Sequence, residues 1–158
     1  MSDQSSDLVL IPFIVLAFAI VFPIFWTLII GLISLLSGWQ RLAQRYRATL
    51  PPSGQKWTWQ YGMIGWAGYR GVLTLTANDA GLFMEVMWLF RFGHPRLFIP
   101  WQEFRDAKVS HFFTRQVKAN IGFPTVATVR LPAAVFEESA GRKVLAQSAI
   151  GTNVPDHT

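Results

Sequence analysis

Residues 8–36 read LVLIPFIVLAFAIVFPIFWTLIIGLISLL, 29 positions without Lys, Arg, Asp, Glu or His. As a helix rising 1.5 Å per residue the run is about 43 Å long, against roughly 30 Å of bilayer hydrocarbon. It is long enough to cross a membrane with tilt to spare, so it fixes where the rest of the chain must work. Its flanks orient it. Residues 1–7 hold Asp3 and Asp7 and no base, whereas Arg41, Arg45, Arg47 and Lys56 follow the run with no acid before Asp79. Lys and Arg near the ends of a span stay on the cytoplasmic side. The N-terminus is therefore expected outside and the C-terminal domain in the cytoplasm. A cleaved leader fits poorly, because the first residues lack positive charge and the apolar run is too long.

The chain has 158 residues and a net charge of +5, room for one anchor and one domain of about 100 residues. Cysteine is absent, which excludes disulfides, thiolate metal sites and cysteine nucleophiles. Seven Trp, 13 Phe and three Tyr are enough to fill a small core without a metal.

Within the anchor, central Pro23 should free the carbonyl of Ala19 and kink the helix, either as a hinge or as a tolerated irregularity. Gly31, Ser34 and Gly38 are small residues at a spacing that permits close contact with another helix, including a second copy. Residues 37–50 read as a basic juxtamembrane helix. Trp39, Leu42 and Tyr46 share one face, with Trp39 and Tyr46 suited to the headgroup level and Arg41, Arg45 and Arg47 to lipid phosphates. Pro51-Pro52-Ser53-Gly54 ends that helix and opens a linker over residues 51–56.

Beyond the linker the period changes from 3.6 to 2, and residues 57–150 read as one domain. Trp57, Trp59 and Tyr61 alternate as in a half-buried strand, and Gly62, Gly65, Gly68 and Gly71 then form a turn. Residues 72–76 make a second strand closed by the hairpin loop Asn78-Asp79-Ala80-Gly81. Residues 82–90 make a longer strand ending at the turn Gly93-His94-Pro95, and residues 96–99 a short one. Residues 101–104 form a tight turn. Residues 108–113, 118–121 and 125–131 make three more strands. Pro132 opens a C-terminal helix over 133–148, interrupted by Gly141. The tail, 151–158, is polar. The fold class is thus a transmembrane helix plus a mainly-β domain, about seven antiparallel strands capped by a helix.

That order resembles the pleckstrin-homology-like superfold, including the GRAM-type domains. The local text that carries the resemblance is Gly71-Val-Leu-Thr-Leu-Thr, then Gly81-Leu-Phe-Met-Glu-Val, then Pro95-Arg-Leu-Phe-Ile-Pro-Trp-Gln-Glu-Phe104, which looks like a common bacterial pattern. The resemblance covers residues 57–148 and implies a small barrel or sandwich in which Trp101 plugs the core. With Phe104 it is the expected fold determinant. Many lipid-binding relatives hold inositol phosphates on a Lys/Arg cluster in the first hairpin; here Gly62 to Gly71 offers only Arg70.

No arrangement of residues points to a reaction. His94, His111 and His157 are widely spaced and form no HxH or HExxH pattern, so no metal or other cofactor is expected. Ser110 and His111 would point to opposite faces of a strand and cannot act as nucleophile and base. Glu103 and Asp106 stand beside Arg105 and Lys108 as solvated charges. The remaining candidate is a basic surface, with Arg91 and Arg96 flanking one turn and Arg115 and Lys118 another. With no aromatic-basic motif, it suits an anionic leaflet or a protein partner and not nucleic acid. The expected role is a non-enzymatic adaptor or accessory protein. The alternative is a subunit of a larger membrane complex assembled through its helix.

Overall fold

The computed structural model describes residues 3–111 and 114–151. A long helix, α1 (Asp3–Ser37), is followed by a short one, α2 (Trp39–Tyr46). Seven strands come next: β1 (Gln55–Ile64), β2 (Ala67–Ala77), β3 (Gly81–Val86), β4 (Leu97–Pro100), β5 (Phe104–His111), β6 (Arg115–Ile121) and β7 (Ala127–Pro132). Two helices, α3 (Ala133–Glu137) and α4 (Arg142–Gly151), close the chain. From Leu10 to Ser37, α1 is long and apolar enough to cross a membrane.

All neighbouring strands are antiparallel, in the order β4-β3-β2-β1-β7-β6-β5. Laid flat, six spacings of about 4.8 Å would hold the edge strands ~29 Å apart. Yet Pro100, ending β4, is joined to Phe104, beginning β5, by a single 3₁₀ turn over Trp101–Glu103. Four residues reach at most about 14 Å. The sheet must therefore curl, and it forms a half-barrel with a buried concave face.

Trp101 lies where the two edges approach. Its ring packs against Phe104 at 5.4 Å and Phe136 at 5.8 Å, and its indole Nε1–H donates to the Asn78 carbonyl at 2.8 Å. Gly141 presses on the same ring, since a Cβ there would lie 3.0 Å from it. This contact falls at the break between α3 and α4, the interruption expected at Gly141.

Several elements differ from their sequence reading. The first hairpin turns on Gly65-Trp66 alone, while Gly62, Gly68 and Gly71 lie within strands. The alternation of Trp57, Trp59 and Tyr61 fails because β1 bulges between Trp57 and Gln60. Trp59 adopts φ 57° there and is 70% exposed. β3 ends at Val86 and does not run to Phe90; residues 88–90 are a 3₁₀ turn. The Asn78–Gly81 loop forms as expected, with Asn78 Oδ1 accepting from the Ala80 and Gly81 amides at 3.0 Å. β1 begins at Gln55, so the linker is shorter than residues 51–56. Phe112, Phe113 and the tail beyond Gly151 lie outside the described residues.

Candidate membrane interface

The last third of α1 is built into the domain. Trp26, Ile30, Ser34 and Ser37 recur at helical spacing, and Ile30, Ser34 and Ser37 are buried. Ser34 lies under the connection between β3 and β4, and Ser37 against Tyr69 of β2. The Phe90 ring meets the Trp26 ring at 5.8 Å, Phe92 lies against Gly31, and Gly93 rests on Gly31 and Ser34. Ser34 Oγ donates to the Gly93 carbonyl, which also accepts from Gln40 Nε2. Gly93 has φ 72°, and a Cβ there would stand 3.3 Å from Gly31 Cα, so both the turn and the contact favour glycine. The small residues Gly31 and Ser34, read as a surface for another helix, are thus taken up within the chain. Gly38 is not part of a helix face; with φ 96° it breaks α1 from α2.

A buried polar relay locks this contact. The Ser37 hydroxyl lies 3.2 Å from the Tyr69 hydroxyl, which lies 3.0 Å from His94 Nε2. His94 Nδ1 faces the Phe92 carbonyl at 3.2 Å. A carbonyl only accepts, so Nδ1 carries the proton and Nε2 accepts from Tyr69. Burial lowers the His94 pKa below its usual 6.5 and raises that of Tyr69, so both are neutral at pH 7. Ser37, Tyr69 and His94 are all buried, and Trp39 packs against both rings, tilted to Tyr69 at 5.4 Å and edge-on to His94 at 5.1 Å.

α2 corrects the reading of residues 37–50. Trp39 and Tyr46, expected at headgroup level, face the domain together with Leu42 and Ala43, and all four are buried. Trp39 Nε1 donates to the Pro95 carbonyl at 2.9 Å, and Tyr46 donates to Glu103 at 2.7 Å. Burial first, then the Glu103 carboxylate, pushes the Tyr46 pKa up to about 12. Arg41 and Arg45 keep to the exposed face. The amphipathic pattern was read correctly, but its apolar side meets protein. Past α2, Arg47 pairs with Leu97 and the Ala48 amide donates to the Arg96 carbonyl at 2.9 Å, covering the edge of β4.

Two features escaped the sequence reading. Trp66, at the tip of the first hairpin and 62% exposed, donates its indole N–H to the Leu36 carbonyl at 3.0 Å. Gly65 beside it abuts the Ser37 carbonyl. The second is residues 87–92, Met-Trp-Leu-Phe-Arg-Phe, which expose Trp88, Leu89 and Phe92 next to α1. Their signal was present: three aromatics in five residues beside a Gly-His-Pro turn are too many for a water-facing loop.

The basic contact residues do not form one cluster. Arg96 pairs with Glu85 at 2.7 Å, with Arg91 at 3.9 Å from the same carboxylate. Arg115 pairs with Glu137 of α3 at 2.7 Å. Lys118 stands directly across from Lys108 on β5 and Arg130 on β7, a cationic row over three strands. Among the described residues, no group of three or more His, Asp or Glu is placed to hold a metal ion. Compared with known proteins, the chain matches no family model, no curated protein and no solved structure.

Proposed function

We propose that this chain is a single-pass protein of the bacterial inner membrane, with its N-terminus outside and a non-enzymatic, PH-like domain on the cytoplasmic side. It acts as an adaptor or accessory protein, holding a protein partner at an anionic membrane surface. The observation that carries this reading is the burial of Ile30, Ser34 and Ser37 of α1, with Ser34 against the β3–β4 connection and Ser37 against Tyr69 of β2. A leader peptide is discarded, whereas these residues complete the domain that follows. Removing them would strip the cover from Gly93 and leave Tyr69 without its Ser37 partner.

The orientation rests on Arg41, Arg45, Arg47 and Lys56 against the acids of residues 1–7. The PH-like assignment is supported by seven antiparallel strands curled around Trp101 and closed by C-terminal helices. The anionic-surface reading is supported by the exposed faces of Arg41 and Arg45 immediately beyond the apolar helix. A non-enzymatic role is supported by the Ser37–Tyr69–His94 relay, whose groups are sealed from solvent and committed to one another.

Single cysteines in this cysteine-free chain test the topology. With a membrane-impermeant maleimide on intact cells, Ser5→Cys is expected to label and Lys118→Cys only after lysis. The reverse pattern, or recovery of the protein outside the membrane fraction, would overturn the proposal.

A further inference from the structure

We infer that residues 87–92 form a second membrane-contacting element, a wedge that sits in the lipid of the same leaflet from which α1 emerges. This rests on the reading of α1 as a membrane span. Trp88 is 76%, Leu89 44% and Phe92 61% exposed, three large apolar side chains on one short connection. They do not stand alone. Phe90 of the same connection touches Trp26, and Phe92 and Gly93 touch Gly31 and Ser34, so the wedge lies along the apolar helix. On the other sides of that helix Leu28, Leu32, Leu35 and Leu36 are exposed, which continues the apolar surface around the helix from the wedge.

Depth follows from length. The apolar run is about 43 Å long and the hydrocarbon about 30 Å thick, so a centred run extends roughly 6 Å beyond the hydrocarbon at each end. Trp26 lies 11 residues, about 16 Å, before Ser37. Phe92, against Gly31, therefore falls near the hydrocarbon boundary, and Phe90, against Trp26, roughly 8 Å deeper. Trp and Phe suit this zone, and Arg91, 3.9 Å from Glu85, keeps most of its side chain exposed beside them.

Several backbone groups of the wedge are paired within the protein, which lowers the cost of placing it against lipid. The Met87 amide donates to Val72, Phe90 to Met87, Arg91 to Trp88 and His94 to Arg91. The Phe92 carbonyl accepts from His94, and that of Gly93 from Ser34 and Gln40.

The test uses the full chain in vesicles of phosphatidylcholine and phosphatidylglycerol at about 3:1, carrying one nitroxide at a time. Leu89→Cys and Trp88→Cys probe the wedge, Leu28→Cys the lipid face of α1, and Lys118→Cys the aqueous sheet surface. Relaxation by oxygen reports lipid and relaxation by a nickel chelate reports water. Leu89 and Trp88 labels are expected to match Leu28, with an oxygen-to-nickel ratio several-fold above that of Lys118. A ratio like that of Lys118, with Leu28 still in lipid, would overturn the wedge alone. Exclusion of both reagents would also overturn it, because the patch would then be covered by protein. If Leu28 itself proves water-accessible, the span fails and the wedge with it.

Discussion

At the level of single residues, His94 and Trp101 carry the most specific consequences. Burial holds His94 neutral between Tyr69 and the Phe92 carbonyl, with Glu85, Arg91 and Arg96 lining the adjoining hollow. Its pKa is lower folded than unfolded, so below pH 6.5 the unfolded chain takes the proton more readily. Stability is whole above pH 6.5 and drains as pH falls toward the folded value. The thermal midpoint of the full chain in mild detergent should therefore drop between pH 7.5 and 5.5. His94→Gln should flatten that slope, and an equally steep slope in the variant would refute the assignment. Trp101→Ala removes a ring packed between Phe104, Phe136 and Gly141 and orphans the Asn78 carbonyl. A loss of about 3–5 kcal/mol is expected, read as the shift in denaturation midpoint. The part of Trp101 was legible through the resemblance of Pro95–Phe104 to a pattern in which this Trp plugs the core. That of His94 was not, because a turn residue in sequence became a buried one only when α1 and α2 closed over it.

At the level of elements, the domain begins earlier than the linker suggests. Trp39, Leu42 and Tyr46 are buried in its core, and each contributes about 1.5–3 kcal/mol by burial. Their sum approaches the whole net stability of a small domain. A fragment of residues 52–158 should accordingly show no cooperative melt, while the full chain does; a sharp transition in the fragment would contradict this. Along α1, Ser34→Leu puts bulk where Gly93 rests and removes a hydrogen bond. It should cost about 1–3 kcal/mol, whereas Leu35→Ala, on the exposed side, should be nearly neutral. The number of strands and most strand positions were readable from alternation and from turn residues such as Asn78 and Gly81. What misled was local chemistry overridden by contacts distant in sequence. β3 stopped at Val86 because residues beyond it bind α1, and α2 turned its aromatics inward because β4 and β7 lay beneath it.

At the level of the whole molecule, the apolar helix and the half-barrel form one body joined by Trp26, Ser34, Ser37 and the connection that covers them. If charge orients the chain, Arg41→Gln, Arg45→Gln and Arg47→Gln together leave only Lys56 near the span. Mixed orientation of Ser5→Cys labelling is then expected, and unchanged labelling would count against that account. The helix long and apolar enough to cross a membrane and the fold class were legible from the 29-residue run and the change of period. The joint between them was not, since it depends on Gly93 and Ser34, 59 positions apart. That joint can be tested directly. A Cβ at Gly93 would stand 3.5 Å from the Ser34 Cβ, within the range a disulfide spans. With no native cysteine to compete, Ser34→Cys combined with Gly93→Cys should oxidise within one chain and lose both free thiols. Leu35→Cys with Gly93→Cys should not. Persistent thiols in a first pair that still melts as cooperatively as the native chain, or bridges only between chains, would show that the domain does not rest on its own anchor.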